Sequence, residues 1–298
     1  MPQIFDNTKL KSELKDQLIS KIARLKLEQK LNLKLHIVLI GDNLSSVKYV
    51  NLKKKIGAEI GVEVVIHKYS GEEKDIHFQL EKLLEKVNNS KENYEGLIFQ
   101  LPLASEFQIY LDQVNEYSDI DLLSNKWAIL LNKGILWPTV QAIQLCLYEI
   151  ISNKFEENII NLKGKTVAVV GQGVLVGTPV LNWLTKTEAT IISINKDTEN
   201  PEQLTKQADI LISGVGVPKL INSSWIKPGA ILIDAGTSDV QGSLQGDIDA
   251  ANLPENSILC PSPGGIGPIT VLSLFWNVLR LAKIKKSLIS ARDLISRS

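Results

Sequence analysis

Apolar residues come in two kinds of run along this chain, and the two kinds alternate. Short unbroken runs rich in Val, Ile and Leu suit strands buried on both faces. Longer stretches with apolar positions three and four apart suit helices that lay one face on a core. Leu10 to Leu31 is of the helical kind, set among lysines and glutamates. LHIVLI, ending at Ile40, is a strand candidate that stops at Gly41-Asp42-Asn43. SSVKYVNLKKKIGAEIG reads as a helix closed by Gly61. VEVVIHKY is a second strand, FQLEKLLEKVNN a second helix, and GLIFQLPL a third strand halted by Pro102. This βαβαβ order implies a parallel sheet.

Trp127 to Leu136 fits neither pattern. Thr139 to Ser152 is helical and predicts a connection between two domains. The alternation then restarts. TVAVV, ATIISIN, ADILISGVG, AILIDAG and SILCPSP are successive strand candidates. A helix around Pro179 to Leu184 separates the first two, and a shorter one, PEQLTKQA, precedes the third. These elements make a second α/β unit from about Thr139 to Gly265. ITVLSLFWNVLRLAKIKK is one long apolar-faced helix after that sheet is complete. It is free to pack back on the first domain, which would make that domain discontinuous. No internal repeat or low-complexity tract interrupts the pattern.

Length agrees with this division, since 298 residues favour about two domains. The 33 basic and 33 acidic residues balance, so no strongly charged nucleic-acid or membrane surface is expected. Cys146 and Cys260 read as two isolated, buried thiols of a reducing compartment. His36, His67 and His77 show no ligand spacing with each other or with a cysteine, so no metal site is expected. His36, inside KLHIVLI, reads as a packed residue. The N-terminus is charged and helix-like without an apolar signal core, and no run reaches the ~18 residues of a membrane span. The expected location is the cytoplasm.

The segment GKTVAVVGQGVLVGTP, Gly164 to Pro179, carries the clearest chemistry. A strand, a turn with Gly171, Gly173 and Gly177, and a helix follow in order. Glycines allow close approach of a pyrophosphate, and a helix N-terminus offers free N–H groups. The spacing G-x-G-x-x-x-G is one residue longer than the usual dinucleotide fingerprint. A tight βα turn without a ligand fits the same residues.

Tyr49 and Lys53 are four apart on a predicted helix and share a face. That helix starts at the C-terminal edge of the first strand, where α/β sheets bind ligands. A lysine there can move protons if burial lowers its pKa. Equally, Lys53, Lys54 and Lys55 form a charge run of the kind water usually covers. Gln100 ends the strand GLIFQ, placed either to orient a ligand or a lysine, or to satisfy loop backbone. Asp119 and Asp121 suggest a buried carboxylate that accepts from a ring NH and an amino group, or a simple turn. PSPGGIGP, Pro261 to Pro268, is too rich in proline and glycine for a mere linker and reads as functional.

In this order the segments resemble the bifunctional methylenetetrahydrofolate dehydrogenase and methenyltetrahydrofolate cyclohydrolase family, over nearly the whole chain. GDNLSSVKYVNLKKKIGAEIG is similar to the family's G-D-x-x-S-x-x-Y-V-x-x-K, GLIFQLPL to its G-[IL]-x-V-Q-L-P-L and SDIDLL to its D-V-D-G segment. GKTVAVVGQGVLVGTP, ADILISGVGVP, GAILIDAG, GDID and PSPGGIGPITV follow in family order, the last being the most specific.

The resemblance implies two α/β domains around a cleft, the second a Rossmann-type nucleotide-binding domain. It assigns residues 1–138 plus 269–298 to folate binding and catalysis, and 139–268 to NAD(P). The implied catalytic set is Lys53, Tyr49, Gln100 and Asp121. Ser46, Phe99, Leu101, Pro263, Gly264, Gly265 and Gly267 join them in holding tetrahydrofolate substrates. Thr139, Gly171, Gln172, Gly173, Val174, Lys196, Gly214 and Thr237 hold the nucleotide. The implied cofactor is NADP, with NAD as the alternative, and the implied assembly a homodimer without metal.

Some positions depart from the family. Gln172-Gly173 stand where it has Arg-Ser, which commonly serve a 2′-phosphate. Asn195-Lys196-Asp197 stand where it often has His-Ser. Lys196 offers a replacement charge, whereas Asp197 suits the free ribose diol of NAD. WPTVQA replaces P-C-T-P-x-G and keeps only Thr139 after Pro138, with Val140 next. Leu122 replaces the glycine of D-V-D-G. Two rival readings are a shikimate-type dehydrogenase of similar architecture and a non-catalytic relative that binds folate or nucleotide. The joint presence of Tyr49, Lys53, Gln100 and Asp121 argues against both.

Overall fold

A computed structural model of the chain describes residues 1–91, 93–152 and 160–295. The elements run β1 (Gln3–Ile4), α1 (Thr8–Gln29), β2 (Leu33–Ile40), α2 (Leu44–Ile60), β3 (Glu63–Tyr69), α3 (Ile76–Asn89) and β4 (Tyr94–Phe99). They continue with α4 (Trp127–Leu131), α5 (Pro138–Ser152), β5 (Thr166–Val170), α6 (Gly177–Leu184), β6 (Thr190–Ile194), α7 (Pro201–Thr205) and β7 (Ile210–Ser213). The last are β8 (Ile231–Asp234), β9 (Ser238–Val240), β10 (Ser243–Gln245), β11 (Ile258–Cys260) and α8 (Ile266–Ile295). Among the described residues no helix is long and apolar enough to cross a membrane.

The chain divides into two compact units: Glu13–Leu136 with Val271–Ser298, and Met1–Ser12 with Trp137–Thr270. The first is built on a parallel sheet in the order β3-β2-β4. β2 is its middle strand, covered on both faces, which is why Leu35, Ile37, Val38 and Leu39 are all buried and only His36 interrupts the apolar run. One face meets α3 through Leu80, Leu83, Leu84 and Val87, packed with Val38, Leu97 and Phe99. On α2, Gly57 lies so close to β3 and α8 that a Cβ would fall 2.4 Å from Val64 and 3.2 Å from Phe275. Gly61 closes α2 in the left-handed conformation, φ 83°, as its sequence position predicts.

The second unit holds a parallel sheet in the order β1-β11-β8-β7-β5-β6. Its five longer strands are those the apolar runs predict. β1 is an addition: Gln3 and Ile4 pair with Ile258 and Leu259, and so join Met1–Ser12 to this unit. Two residues are too few to show a period, and the N-terminus reads as helical from composition alone. The hairpin β9–β10 is likewise short and polar.

One expectation about scarce residues needs correction, and one gains a detail. Cys146 and Cys260 are buried free thiols, but they are not isolated. A thiol–thiol hydrogen bond, helped by burial, pushes Cys146 well above its ordinary range. Two of the three histidines meet in the fold although their chain spacing gives no sign of it: His36 Nδ1 lies 2.8 Å from His67 Nε2, and His36 Nε2 lies 3.2 Å from Glu95 Oε2. Adjacent strands bring these residues together, which spacing along the chain does not show. Among the described residues no group of three or more His, Cys, Asp or Glu side chains is placed to hold a metal ion.

Candidate active site

Two clusters carry the predicted residues, one in each unit. The first begins where β2 ends. Asn43 caps α2, its Oδ1 accepting from Ser46 N at 3.1 Å. The cap sets the helical phase, so Ser46, Val50, Lys53, Gly57 and Ile60 all lie on the buried face. Lys53 is only 6% exposed, while Lys54 and Lys55 are exposed. The charge run is therefore split, and Lys53 is not part of the solvated face. Tyr49 is half-buried one turn before it.

Lys53 Nζ donates to Gln100 Oε1 at 3.0 Å, and Gln100 Nε2 donates to Leu101 O at 3.0 Å. A lysine can only donate and a carbonyl only accept, so these two bonds fix the Gln100 amide orientation. Ser46 Oγ also donates to Leu101 O at 3.0 Å. Asp121 Oδ2 lies 3.9 Å from Lys53 Nζ. Burial lowers the lysine pKa and Asp121 pulls it back up. Burial raises Asp121, and Lys53 pulls it down. The two groups thus hold each other's charge in a desolvated place.

Asp119 and Asp121 have different roles. Asp119 accepts from Leu123 N at 3.2 Å and Ser124 N at 2.9 Å, so it builds the turn. Burial, opposed by those bonds, takes it to about 6. Leu122 occupies the glycine position of the family with φ 56°, a left-handed conformation that costs a leucine about 1 kcal/mol. Its side chain is buried. Asn277 on α8 braces the same segment, donating to Ile120 O at 3.1 Å and Leu136 O at 2.9 Å. Phe99 does not join this cluster through its side chain. Strand alternation turns it to the other face, where it is buried and stacks on Tyr110 at 6.4 Å.

The second cluster lies at the C-terminal edge of the six-stranded sheet. Gly171 has φ 96°, and a Cβ there would fall 2.8 Å from Gly214 O. At Gly177 a Cβ would fall 1.9 Å from Gly171 O, and at Gly214 one would fall 2.4 Å from Val176. Gly173 faces open space. Gln172 Nε2 donates to Ser193 Oγ at 2.9 Å, Val174 is 62% exposed, and Lys196 is exposed in the turn after β6. The turn and the start of α6 thus form a backbone cradle with room beside it. Thr139 is half-buried in the first turn of α5, and Thr237 Oγ1 lies 2.9 Å from Ser262 Oγ.

The proline–glycine loop belongs to this unit as well. Asn7 Nδ2 donates to Gly264 O at 2.9 Å and also to Gly265 O. Gly264 has φ 96°, and a Cβ at Gly265 would strike Pro261 O. Pro263 is exposed and Gly267 half-buried at the start of α8. Sequence reasoning missed the braces: Asn7, Asn277, and the carboxylates Asp234 and Asp247. The only signal for the last two was an aspartate inside each of the segments AILIDAG and GDID.

Comparison with known proteins gives a family for both parts of the chain. Residues 5–121 match the family model of the tetrahydrofolate dehydrogenase/cyclohydrolase catalytic domain, and residues 146–286 match its NAD(P)-binding domain. The bifunctional protein FolD of Thermodesulfovibrio yellowstonii is 32% identical over 294 residues, covering 96% of this chain and 99% of its own. That of Mycoplasmopsis synoviae is 36% identical over 265 residues, covering 84% and 90%. Among solved structures, the bifunctional enzyme FolD from Campylobacter jejuni superposes with a TM-score of 0.83 at 26% identity, covering 95% of this chain and 99% of that one. The Trypanosoma brucei FolD, complexed with NADP cofactor and inhibitor, gives 0.81 at 26% identity over 94% and 97%. The chain belongs to the tetrahydrofolate dehydrogenase/cyclohydrolase family.

Proposed function

We propose that this protein oxidises 5,10-methylenetetrahydrofolate to the methenyl form with NADP+ and hydrolyses that product to 10-formyltetrahydrofolate. The observation that carries the reading is the buried Lys53, held at 3.0 Å by Gln100 and at 3.9 Å by Asp121. Gly171, Gly177 and Gly214 leave no room for a Cβ around a backbone cradle, which fits a pyrophosphate. A bound nicotinamide would supply the hydride acceptor. For that step the chain contributes position: the glycine turn, Gln172, Gly173, Val174, Thr139, Thr237 and Lys196 hold the nucleotide.

Hydrolysis adds water to the methenyl carbon, breaks its bond to N5, and releases one proton overall. The water oxygen becomes the formyl oxygen and loses both its protons: one goes to the departing N5 and the other leaves to solvent. Lys53, its pKa lowered by burial, carries protons between these atoms and opposes developing negative charge. Gln100 holds the ammonium in place, Tyr49 packs against the ligand, and Asp121 accepts from the pterin. The catalytic domain in this reading is 1–138 plus 269–298, with 139–268 for the nucleotide, except that Met1–Ser12 add β1 to the nucleotide sheet. The protein acts as a cytoplasmic homodimer on tetrahydrofolate substrates, without nucleic-acid or membrane partners.

The test follows methenyl-tetrahydrofolate by absorbance. The parent should form it with NADP+ and hydrolyse it. Lys53→Met keeps the length of the side chain but removes the proton carrier, and should slow hydrolysis by about 10²–10⁴-fold. A folded parent that makes no methenyl product with either NADP+ or NAD+ refutes the reading.

A further inference from the structure

The loop Gly214–Val217 leaves β7 beside the glycine turn. A Cβ on Gly171 would fall 2.8 Å from Gly214 O and 3.3 Å from Val215 Cα, so a small shift of the loop reshapes the turn. Ser238 Oγ donates to Gly216 O at 2.6 Å, and a single carboxylate takes three successive N–H groups of the loop. Asp247 Oδ2 accepts from Ser213 Oγ at 2.6 Å and Val215 N at 2.7 Å. Its Oδ1 accepts from Gly216 N at 2.9 Å and Val217 N at 3.0 Å. Asp247 and Ser213 are both fully buried.

A second carboxylate secures the first. Asp234, at the end of β8, accepts from Asp247 N at 3.1 Å, Ile248 N at 3.0 Å and Gly236 N at 3.2 Å. Glycines make the fit possible: a Cβ on Gly236 would sit 2.1 Å from Asp247 Cγ, and one on Gly246 would sit 2.1 Å from Asp234 Oδ2. Successive N–H groups aimed at one point form a concave anion site. Here the chain's own Asp247 fills it. Those three N–H groups are therefore spent on Asp247, which leaves the glycine turn as the cradle for the nucleotide phosphates.

We infer that Asp247 is a positioning residue for the nucleotide site, an internal anion that holds the Gly214–Val217 loop against the Gly171–Gly177 turn. The inference rests on the nucleotide-binding reading above. Asp247 is fully buried and acts through the loop backbone.

The test uses the full chain and NADP+ kinetics of the dehydrogenase step. Asp247→Asn keeps the shape of the side chain but turns an NH2 toward one pair of its four donors and removes the charge. The KM for NADP+ should rise at least about tenfold, with kcat at saturating nucleotide within about threefold. A role in folding alone would lower kcat, through a smaller folded fraction, and leave KM at the parental value. Ser213→Ala keeps the carboxylate and removes one bond, so KM should rise about two- to fivefold. It decides the matter alone if Asp247→Asn does not fold. A parental KM in the folded variants overturns the inference while the functional reading stands. A parent that reduces neither NADP+ nor NAD+ overturns both.

Discussion

Gly177 and Gly173 stand four residues apart in the same glycine turn, yet an added methyl group should destabilise the protein at the first and do little at the second. A Cβ on Gly177 would fall 1.9 Å from Gly171 O, 2.6 Å from its carbonyl carbon and 2.7 Å from Gln172 Cα. Ordinary C···O contact is ~3.3 Å, so the overlap is about 1.4 Å. Every atom in the way is backbone, and none can rotate aside. Alanine is also the better helix former, by about 1 kcal/mol over glycine, and Gly177 opens α6. That gain is the smaller effect, because overpacking against fixed atoms costs about 3 kcal/mol or more. Gly177→Ala should therefore lower Tm by roughly 5–10 °C. It should also weaken NADP+ binding, because helix and strand must part to admit the methyl. At Gly173 nothing lies within 4 Å of a Cβ. Gly173→Ala should leave Tm within about 2 °C of the parent. Thermal unfolding followed by circular dichroism, with NADP+ titrations, checks both. Equal Tm values for the two variants would refute the close packing of helix on strand.

Two further outcomes concern charge. Asp121 favours the ammonium form of Lys53, so Asp121→Asn should move the limb of the hydrolysis pH profile set by Lys53 toward lower pH. It should also raise the folate KM while leaving nucleotide affinity in place. A limb that stays put would separate Asp121 from the lysine. Lys196→Ala should remove a modest preference for NADP+ over NAD+ and leave kcat/KM with NAD+ nearly unchanged, since Gln172 and Gly173 carry no charge. A strong NADP+ preference insensitive to Lys196 would point to another phosphate anchor.

Local order along the chain sufficed for the architecture. β2, β4 and β5 are buried on both faces, and such strands are apolar at most positions, so LHIVLI, GLIF and TVAVV announce themselves despite the buried His36 and Glu95. The turn at Gly61 and the glycine turn after β5 were also legible, because a left-handed φ or a close approach demands glycine nearby. The order of the motifs carried the family and, with it, Lys53, Gln100 and Asp121.

The tertiary structure decided which of several like residues does what. Lys53 differs from Lys54 and Lys55 only in the face of α2 it occupies, and the composition of the run cannot show that. Asp119 and Asp121 both follow Ser118, but only the fold turns one to the loop backbone and the other to the lysine. Phe99 and Gln100 are neighbours that strand alternation and the strand's end send to different surroundings. Cys146 with Cys260, His36 with His67, and Asp247 with the loop after β7 are meetings of residues far apart in the chain. Hydrophobic period and turn chemistry are properties of neighbours in sequence, so they specify elements. Hydrogen bonds and desolvation arise between elements, so burial, pairing and charge were settled only when the sheets and helices packed.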